Sequence, residues 1–328
     1  MSTPGTGSAL VTGITGQDGG YLAERLLADG WAVHGLVHGG DAGLADLRRR
    51  CPGAVLHDGD LLDEASLAGA VAAADPDEVY HLGGISSVAF SWAQPVLTAE
   101  VTALGSARLL EQVWQHQQRR GRAVRFVQAS SAEVFGDPPV VPQDESTPVR
   151  PTSPYGVAKA FAHALAGVYR ARGLPAVSLL LYNHESPRRP PTFVTRKITQ
   201  GAARIALGRQ DELVLGNLDA RRDWGWAPDY VDAMVRAARH EVADDYVVAT
   251  GEAHTVREFV AAAFARAGVA DWQGRVRVDP AFVRPTDAAL QVGDAAKARR
   301  ELGWAPTVGF AELVGRMVDV DLAGGAGG

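Results

Sequence analysis

The sequence Ser-Ala-Leu-Val-Thr at 8–12 is followed by Gly-Ile-Thr-Gly-Gln-Asp-Gly at 13–19 and by Tyr-Leu-Ala-Glu-Arg-Leu-Leu at 21–27. The first segment is an apolar run typical of a strand, and the last has the apolar spacing of a helix. Glycines between a strand and a helix permit a tight turn and a close approach of the backbone to a pyrophosphate, whose charge the helix N-terminus receives. The stretch therefore predicts a dinucleotide-binding turn with the spacing G-x-x-G-x-x-G, in preference to an ordinary glycine-rich turn.

Further apolar runs recur along the chain and predict a parallel sheet. Strands are expected at 31–37, 54–60, 78–82, 124–128 and 176–182, with long helices at 98–118 and 155–172. Later in the chain we expect helices at 229–240 and 255–268 and a strand at 245–250 that returns to the main sheet. The predicted fold class is α/β, a Rossmann-type doubly wound parallel sheet with a smaller C-terminal substrate-binding lobe. Residues 1–182 are expected to form mainly the dinucleotide-binding domain, 183–322 mainly the second lobe, and 323–328 a disordered Gly/Ala-rich tail.

Composition narrows the class of protein. The chain has 328 residues, of which 46% are hydrophobic and 21% charged, so it can bury a sizeable core. A formal charge of −6 argues against a general nucleic-acid binder, and no segment approaches the roughly 20 apolar residues of a membrane span. The N-terminus lacks the pattern of a signal peptide, and the single cysteine, Cys51, excludes an intramolecular disulfide. We expect a cytoplasmic enzyme with neither nucleic acid nor membrane as a partner, and we assign no metal site.

The stretch from Ser130 to Lys159 holds the side chains that suggest chemistry. Tyr155 and Lys159 share a face of one predicted helix, so the ammonium can stabilise the phenolate and bring this base toward neutral pH. Such a phenolate can take the proton of a sugar or alcohol hydroxyl. Ser131 can hold that hydroxyl, and Glu133 points to the same side if the segment is extended. A tyrosine and a lysine at this spacing also occur by chance on many surface helices, so the prediction depends on the rest of the chain.

Longer motifs between residues 9 and 318 carry a resemblance to a known family. They are Thr-Gly-Ile-Thr-Gly-Gln-Asp-Gly (12–19), Asn-His-Glu-Ser-Pro-Arg-Arg (183–189), Phe-Val-Thr-Arg-Lys-Ile (193–198), Gly-Asn-Leu-Asp-Ala-Arg-Arg-Asp-Trp-Gly (216–225), Ala-Thr-Gly-Glu (249–252) and Val-Arg-Glu-Phe (256–259). Through these motifs the chain resembles the extended short-chain dehydrogenase/reductases of the nucleotide-sugar type. Within them it is most similar to the GDP-mannose 4,6-dehydratase family.

The resemblance implies roles for individual residues. Ser131 would take the place of the usual catalytic threonine, Glu133 would be the acid/base, and Tyr155 and Lys159 would have their usual catalytic roles. The implied cofactor contacts are Gly13, Thr15, Gly16, Gln17, Asp18, Gly19, His38, Asp60, Leu61, Leu82, Gly83, Ser86, Tyr155, Lys159, His184 and Arg189. The implied substrate contacts are Ser86, Ser87, Asn183, Val194, Lys197, Leu215, Arg222 and Arg284. The implied ligands are a tightly bound NADP or NAD and a GDP-hexose.

Several of these side chains have simpler interpretations. Without the resemblance, His184 is equally well explained as a satisfied polar residue at a strand end. The arginine pairs at 188–189 and 221–222 suit the bidentate recognition of a diphosphate, with a solvated charged surface as the alternative. Trp224 and Trp226 are expected to lie in the core, not to stack on a base.

The family's reaction defines the leading hypothesis and its rivals. Transient oxidation of C4 makes the C5 proton of the hexose acidic, Glu133 removes that proton and then protonates the departing C6 hydroxyl, and a 4-keto-6-deoxy sugar results. A GDP-sugar 5-epimerase or 3,5-epimerase would use the same C4 oxidation, and a non-catalytic nucleotide-binding protein on this fold is a third hypothesis. We expect a homodimer, paired through the long helices that follow the fourth and fifth strands, with a tetramer as the alternative.

The chain departs from the family's pattern around both ligands. Family members carry Arg-Arg-Ser-Ser after the second strand, where this chain has His38-Gly-Gly-Asp41. The loss of these arginines weakens the case for NADP over NAD and for a tetramer. Beside the sugar the chain has Ile85-Ser-Ser in place of Gln-Ser-His, and Trp226 replaces a histidine, so the hexose or the fate of its C5 carbanion is open.

Overall fold

A seven-stranded parallel sheet lies at the centre of the structure, a computed structural model that describes residues 7–282, 288 and 290–325. In chain order its strands are β1 (Ser8–Thr12), β2 (Ala32–Val37), β3 (Val55–Asp58), β4 (Glu78–His81), β5 (Arg125–Ala129), β6 (Ala176–Leu181) and β10 (Asp245–Val248). Across the sheet they follow the order β3-β2-β1-β4-β5-β6-β10, so the order reverses between β1 and β4. In a doubly wound sheet, ligands bind beyond the carboxyl ends of the strands at such a reversal.

Two layers of helices cover the sheet. On one face lie α1 (Gln17–Ala28) and α9 (Ala227–Arg239), and on the other lie α3 (Glu64–Ala74), α6 (Gly105–Arg120) and α7 (Pro154–Ala171). Alternate residues of β1 divide between the two layers, since Ala9 and Val11 belong to one buried cluster and Leu10 to another. The shorter helices of this unit are α2 (Leu44–Arg50), α4 (Val88–Ala93) and α5 (Pro95–Thr98).

A further buried cluster, called the second core below, lies in the C-terminal half. The strands of this half outside the central sheet are β7 (Asn183–Glu185), β8 (Leu213–Leu215), β9 (Arg221–Trp226), β11 (Ala253–Thr255), β12 (Val276–Val278) and β13 (Leu290–Gln291), and its helices besides α9 are α8 (Val194–Ala206), α10 (Val256–Arg266) and α11 (Phe310–Gly325). β9 pairs with β7, β11 and β13, while β8 pairs with β12. Trp224 and Phe259 are buried among the aliphatic side chains of α8 and α11, as expected for Trp224, whereas Trp226 is only partly buried.

The predicted doubly wound parallel sheet is confirmed, and two elements differ from prediction. The helix expected at 98–118 begins earlier with α5 and contains a π-helical segment, Ala99–Leu104, before α6. The last helix continues through Gly325, so residues 323–325 are helical instead of part of a disordered tail, and residues 326–328 lie outside the described ones. Extending a helix that is already anchored carries no nucleation cost, which explains the longer α11. Among the described residues, no helix has the length and hydropathy needed to cross a membrane.

Candidate active site

Two adjoining cavities lie beyond the carboxyl ends of the central strands. One, of about 570 Å³, follows the glycine turn after β1 and is called the cofactor cavity below; the other, of about 310 Å³, lies over β5, β6 and β7 and is called the catalytic cavity. Five residues line both of them: Asp18, Leu82, Ser86, Arg189 and Phe193. The two cavities are therefore halves of one site at the point where the strand order reverses.

The glycine turn leaves the N-terminus of α1 facing the cofactor cavity. Gly16 is the N-cap residue and has no side chain to cap the helix, so the first amide groups of α1 keep their capacity to bind an anion. Gly13 has a φ of +69°, and a Cβ there would lie 2.8 Å from the amide nitrogen of Gly83. Only glycine at position 13 lets the loops after β1 and β4 approach so closely. This uncapped turn fits the pyrophosphate of a dinucleotide.

Most of the predicted cofactor contacts line this cavity. Those that do are Gly13, Thr15, Gly16, Gln17, Asp18, Gly19, His38, Asp60, Leu61, Leu82, Gly83, Ser86 and Arg189. Tyr155, Lys159 and His184 line the catalytic cavity instead, next to the shared residues. The structure thus gathers the whole predicted cofactor set around one continuous site.

The four predicted catalytic residues line the catalytic cavity together. Ser153 caps α7 by accepting a hydrogen bond from the amide of Gly156 at 3.0 Å, which places Tyr155 in the first turn and Lys159 in the second. Ser131 follows β5 and accepts a hydrogen bond from the amide of Glu133 at 3.2 Å. Glu133 lies on a 3₁₀ turn, Ala132–Val134, so the extended segment assumed from the sequence is not present.

A close approach of α7 brings the two halves of the catalytic group together. A Cβ at Gly156 would lie 2.6 Å from the carbonyl oxygen of Glu133, so a larger residue would push the 3₁₀ turn away from α7. Ser131 lies close enough to Tyr155 for its hydroxyl to act against the rise in the pKa of Tyr155. The turn, and not an extended strand, is what presents Glu133 to the same cavity as Tyr155.

Burial sets the proton affinities of this group. It raises the pKa of Tyr155 to about 12, with the hydroxyl of Ser131 acting in the opposite direction and the charge of Glu133 adding to the rise. Burial also lowers the pKa of Lys159 to about 8, which the negative charge of Asp18 partly counteracts. Lys159 donates a hydrogen bond to the carbonyl oxygen of Ala129 at 2.8 Å, and its Nζ lies 5.9 Å from the centre of the Tyr155 ring. The side chains alone therefore do not bring Tyr155 toward neutral pH, contrary to the expectation from the Tyr–Lys spacing.

An ion pair links the glycine turn to the second half of the chain. His184 Nε2 lies 2.8 Å from Asp18 Oδ2, and His184 Nδ1 lies 2.7 Å from the carbonyl oxygen of Tyr182. Burial alone would lower the pKa of His184 and raise that of Asp18. The attraction and hydrogen bond between the two groups outweigh this effect, so the pKa of His184 is raised and that of Asp18 is lowered. His184 is thus both a satisfied polar residue and a wall of the catalytic cavity.

The predicted substrate contacts divide into three groups. Those that line the catalytic cavity are Ser86, Ser87, Asn183, Val194 and Arg222. Lys197 and Leu215 line neither cavity. Leu215 is 2% exposed, because the alternation of side chains along β8 directs it into the second core. Lys197 lies on α8 after Val194 and Thr195, the residues of this helix that line the catalytic cavity. Arg284 lies outside the described residues.

Each of the two arginine pairs sends only one member into the site. Arg189 and Arg222 line the catalytic cavity. Arg188 stacks on the ring of Tyr21 at 3.7 Å and pairs with Glu24, while Arg221 lies exposed at the start of β9. On β9, neighbouring residues point to opposite sides of the strand, so Arg221 is turned away when Arg222 faces the cavity. Arg188 and Arg189 lie in the turn after β7, in which the amide of Arg189 donates a hydrogen bond to the carbonyl oxygen of Ser186 at 3.0 Å.

Several residues that line the site were not assigned from the sequence, and three of them have side chains suited to ligand contacts: Glu185, Phe193 and Asp41. Glu185 is 2% exposed, accepts a hydrogen bond from Thr195 Oγ1 at 2.6 Å and lies 3.3 Å from Arg189 Nε. Phe193 lines both cavities, and Asp41 lines the cofactor cavity. A sequence indication existed for Glu185, because it lies two residues after Asn183 on one strand and so faces the same side.

Fold and site together define an extended short-chain dehydrogenase/reductase, a class of NAD(P)-dependent enzymes. A family model described as GDP-mannose 4,6 dehydratase matches residues 10–317. The chain belongs to the GDP-mannose 4,6-dehydratase family, and the resemblance indicated by its motifs is confirmed.

Known proteins support this assignment along almost the whole chain. GDP-mannose 4,6 dehydratase 1 of Arabidopsis thaliana is 48% identical over 324 residues, which cover 96% of this chain and 89% of that protein. GDP-mannose 4,6 dehydratase of Homo sapiens is 42% identical over 342 residues, covering 96% and 91%. Among solved structures, DesIV, a dTDP-glucose 4,6-dehydratase from Streptomyces venezuelae with NAD and TYD bound, superposes with a TM-score of 0.82 at 27% identity and 95% coverage of each chain. The UDP-glucose 4-epimerase of Thermus thermophilus in complex with NAD superposes with a TM-score of 0.83 at 32% identity, covering 95% of this chain and 98% of that one.

Proposed function

We propose that this enzyme removes water from GDP-mannose and releases GDP-4-keto-6-deoxymannose. The observation that carries the proposal is the convergence of Ser131, Glu133, Tyr155 and Lys159 on one cavity that is continuous with a dinucleotide-binding turn. The relatives named above, at 42–48% identity, support GDP-mannose as the substrate. The cofactor is NAD or NADP, held between the turn after β1 and the loop after β4.

The residues act mainly by moving protons. When bound, the oxidised cofactor supplies a two-electron acceptor for C4, which makes the neighbouring C5 proton acidic. Tyr155 takes the proton of the C4 hydroxyl, whose oxygen Ser131 holds. Glu133 removes the C5 proton and then gives it to the C6 hydroxyl, which leaves as water. The electrons taken from C4 are returned to C6, C5 takes up a proton from solvent, and Tyr155 releases its proton to solvent. The product therefore differs from the substrate by one molecule of water and by no net oxidation.

Lys159 supports this base by its charge. Tyr155 starts with a pKa of about 12, so each turnover must offset a large preference for the protonated phenol. A protonated Lys159 on the same helix face favours the phenolate. With a pKa of about 8, Lys159 carries this charge at neutral pH and loses it in mildly alkaline solution.

The nucleotide is proposed to lie against the second lobe. Asn183, Val194 and Arg222 line the part of the catalytic cavity that residues 183–322 contribute. The N-terminus of α8 has no side-chain cap, and its N-cap residue Phe193 lines both cavities. These residues suit the diphosphate and base of a GDP-sugar, while residues 1–182 hold most of the cofactor.

One experiment separates dehydration from epimerisation. The enzyme is incubated with GDP-mannose in deuterated water, and the products are examined by mass spectrometry and proton NMR. Dehydration gives a sugar lighter by one water with a C6 methyl group and deuterium at C5. An intact hexose that carries deuterium at C5 would contradict the proposal and support a 5-epimerase.

A pair of variants tests the assignment of Glu133. Glu133→Gln keeps the shape of the side chain but cannot accept the C5 proton, so we expect product formation to fall by at least 10³-fold with little change in binding of the GDP-sugar. Glu145→Gln is a matched control, because Glu145 is a partly buried carboxylate whose Oε1 accepts a hydrogen bond from the amide of Val247, away from both cavities. Equal activities of the two variants would remove Glu133 from the mechanism.

We also propose that the enzyme is a homodimer. On α7, Val157, Phe161 and Val168 are 56%, 43% and 54% exposed and recur on one face of the helix. Val96 and Leu104, on the neighbouring helical segment, are also exposed, and together these five side chains form an apolar face that a second copy would cover.

The mass in solution tests the dimer. We expect a wild-type dimer in light scattering coupled to gel filtration, and a monomer for Phe161→Asp, because the carboxylate would be buried unpaired in the contact. Val242→Asp changes a residue that is 63% exposed outside these helices and should remain dimeric. A monomeric wild type, or a dimeric Phe161→Asp, would exclude this contact.

A further inference from the structure

The outer end of the cofactor cavity is formed by the loop after β2. Asp41 lies in this loop and lines the cavity. Its Oδ2 accepts hydrogen bonds from Thr15 Oγ1 and from the amide of His38, each at 3.2 Å. These two donors fix the carboxylate beside the glycine turn. Among the described residues none donates a hydrogen bond to Oδ1, so that oxygen can accept one from a ligand.

The charge of this end is negative. Asp60 also lines the cavity here, and His38 Nε2 lies 3.4 Å from its Oδ2. Of the described residues that line the cofactor cavity, the only lysine or arginine is Arg189. Arg189 lies at the opposite end, where it lines the catalytic cavity as well and pairs with Glu185.

General chemistry distinguishes the two dinucleotides at this place. In a Rossmann fold, a carboxylate about 20 residues after the glycine turn accepts a hydrogen bond from the 2′-hydroxyl of the adenosine ribose, whereas an arginine nearby accommodates a 2′-phosphate. A phosphate monoester carries about −1.5 to −2 charges at pH 7 and is best matched by guanidinium groups. Asp41 has the sequence offset and the position of the carboxylate, and the described part of the cavity places no guanidinium beside it.

We propose that this enzyme selects NAD over NADP and that Asp41 is the discriminating residue. Its carboxylate accepts a hydrogen bond from the ribose 2′-hydroxyl of NAD and repels the 2′-phosphate of NADP. The proposal rests on the proposed function only in that the cofactor cavity holds a dinucleotide. It concerns binding, so it is testable without turnover.

The test compares two fragments that differ only at the 2′ position. ADP-ribose and 2′-phospho-ADP-ribose are titrated into the full-length protein, freed of any bound dinucleotide, by isothermal calorimetry at low ionic strength. We expect ADP-ribose to bind at least tenfold more tightly. Asp41→Asn should bring the two affinities to within about threefold of each other, because the repulsion disappears while the shape is kept.

A matched variant controls for the loss of charge. Asp58→Asn removes a carboxylate from the exposed end of β3, which lines neither cavity, and should keep the full preference. If Asp41→Asn fails to fold by circular dichroism, Asp41→Ser makes the same comparison with a smaller side chain. The dinucleotide that co-purifies with the wild type, released by denaturation and identified by mass spectrometry, should be NAD.

Each contrary result overturns a specific statement. Equal or reversed affinities in the wild type, or co-purified NADP, would overturn NAD selection. A preference retained in folded Asp41→Asn would overturn the role of Asp41. If neither fragment binds while GDP-mannose is still turned over, the cavity assignment in the proposed function fails together with this inference.

Discussion

Alanine substitution at two neighbouring glycines of α1 tests how the glycine turn is built. A Cβ at Gly19 would lie 2.2 Å from the carbonyl oxygen of Gly13 and 2.6 Å from Cα of Ile14, both atoms of the turn's backbone. A Cβ at Gly20 would meet only the tips of Arg50 and Arg188, at 3.3 Å or more. Both positions lie in the same helix, so they gain equally from the higher helix propensity of alanine.

The expected difference in stability follows from these contacts. Overpacking against atoms that cannot rotate away costs about 3 kcal/mol, of which helix propensity returns about 1 kcal/mol. For Gly20→Ala the same propensity gain is offset only by a small movement of two flexible arginine side chains, so a change within about 1 kcal/mol is expected. Since 1 kcal/mol shifts the Tm of a chain of this size by roughly 2 °C, Gly19→Ala should melt roughly 4 °C lower and Gly20→Ala within roughly 2 °C of the wild type.

Thermal unfolding followed by circular dichroism, with and without added NAD, measures both effects. The displaced turn in Gly19→Ala should also reduce the rise in Tm that NAD produces, because the first amides of α1 no longer converge on the pyrophosphate. Gly20→Ala should keep that rise. If Gly19→Ala is as stable as Gly20→Ala and responds equally to NAD, the close packing of α1 on the turn does not hold the site together.

Two pH effects follow from buried groups. Activity should fall as the pH rises through about 8, where Lys159 loses its proton, and Asp18→Asn should move this alkaline limb of kcat/KM to lower pH because Asp18 raises the pKa of Lys159; an unmoved limb would show that another group titrates there. His81 is buried between Thr12 Oγ1 at 2.7 Å and Ser106 Oγ at 2.9 Å, and burial lowers its pKa to about 3. As the pH falls below 6.5, His81 takes up a proton in the unfolded chain but stays neutral in the folded protein. The free energy of unfolding should therefore fall between pH 7 and pH 5, by about 2 kcal/mol from this group. Urea unfolding at both pH values should show a smaller decrease for His81→Asn, and an equal decrease would contradict the assignment.

The main sheet could be predicted because its sequence patterns are local. Residues 8–27 contain the apolar run of β1, the glycines after it and the helical spacing of α1. In this order the three patterns together predict a dinucleotide-binding turn. The alternation of Ala9, Leu10 and Val11 between two buried clusters follows directly from strand geometry. No long-range contact is needed to recognise these elements.

Parts of the site depend on contacts that a pattern does not contain. The 3₁₀ turn that carries Glu133 packs closely on α7 because residue 156 is a glycine, and no local spacing predicts that contact. A leucine such as Leu215 is equally suited to line a pocket or to lie in the core, and only the packing of β8 shows that it lies in the second core. Asp41 gains its place only because the loop after β2 folds back onto Thr15.

Because five side chains line both cavities, we expect the binding of one ligand to affect the binding of the other. A nucleotide sugar that orders Arg189 and Phe193 on one side also completes the wall against which the dinucleotide rests on the other. By thermodynamic reciprocity, whatever factor the sugar nucleotide adds to dinucleotide affinity, the dinucleotide adds to that of the sugar nucleotide. A dehydratase returns the electrons to the sugar within one catalytic cycle, so the reduced dinucleotide must stay bound until that step. With this coupling, the bound sugar nucleotide itself slows the loss of the dinucleotide.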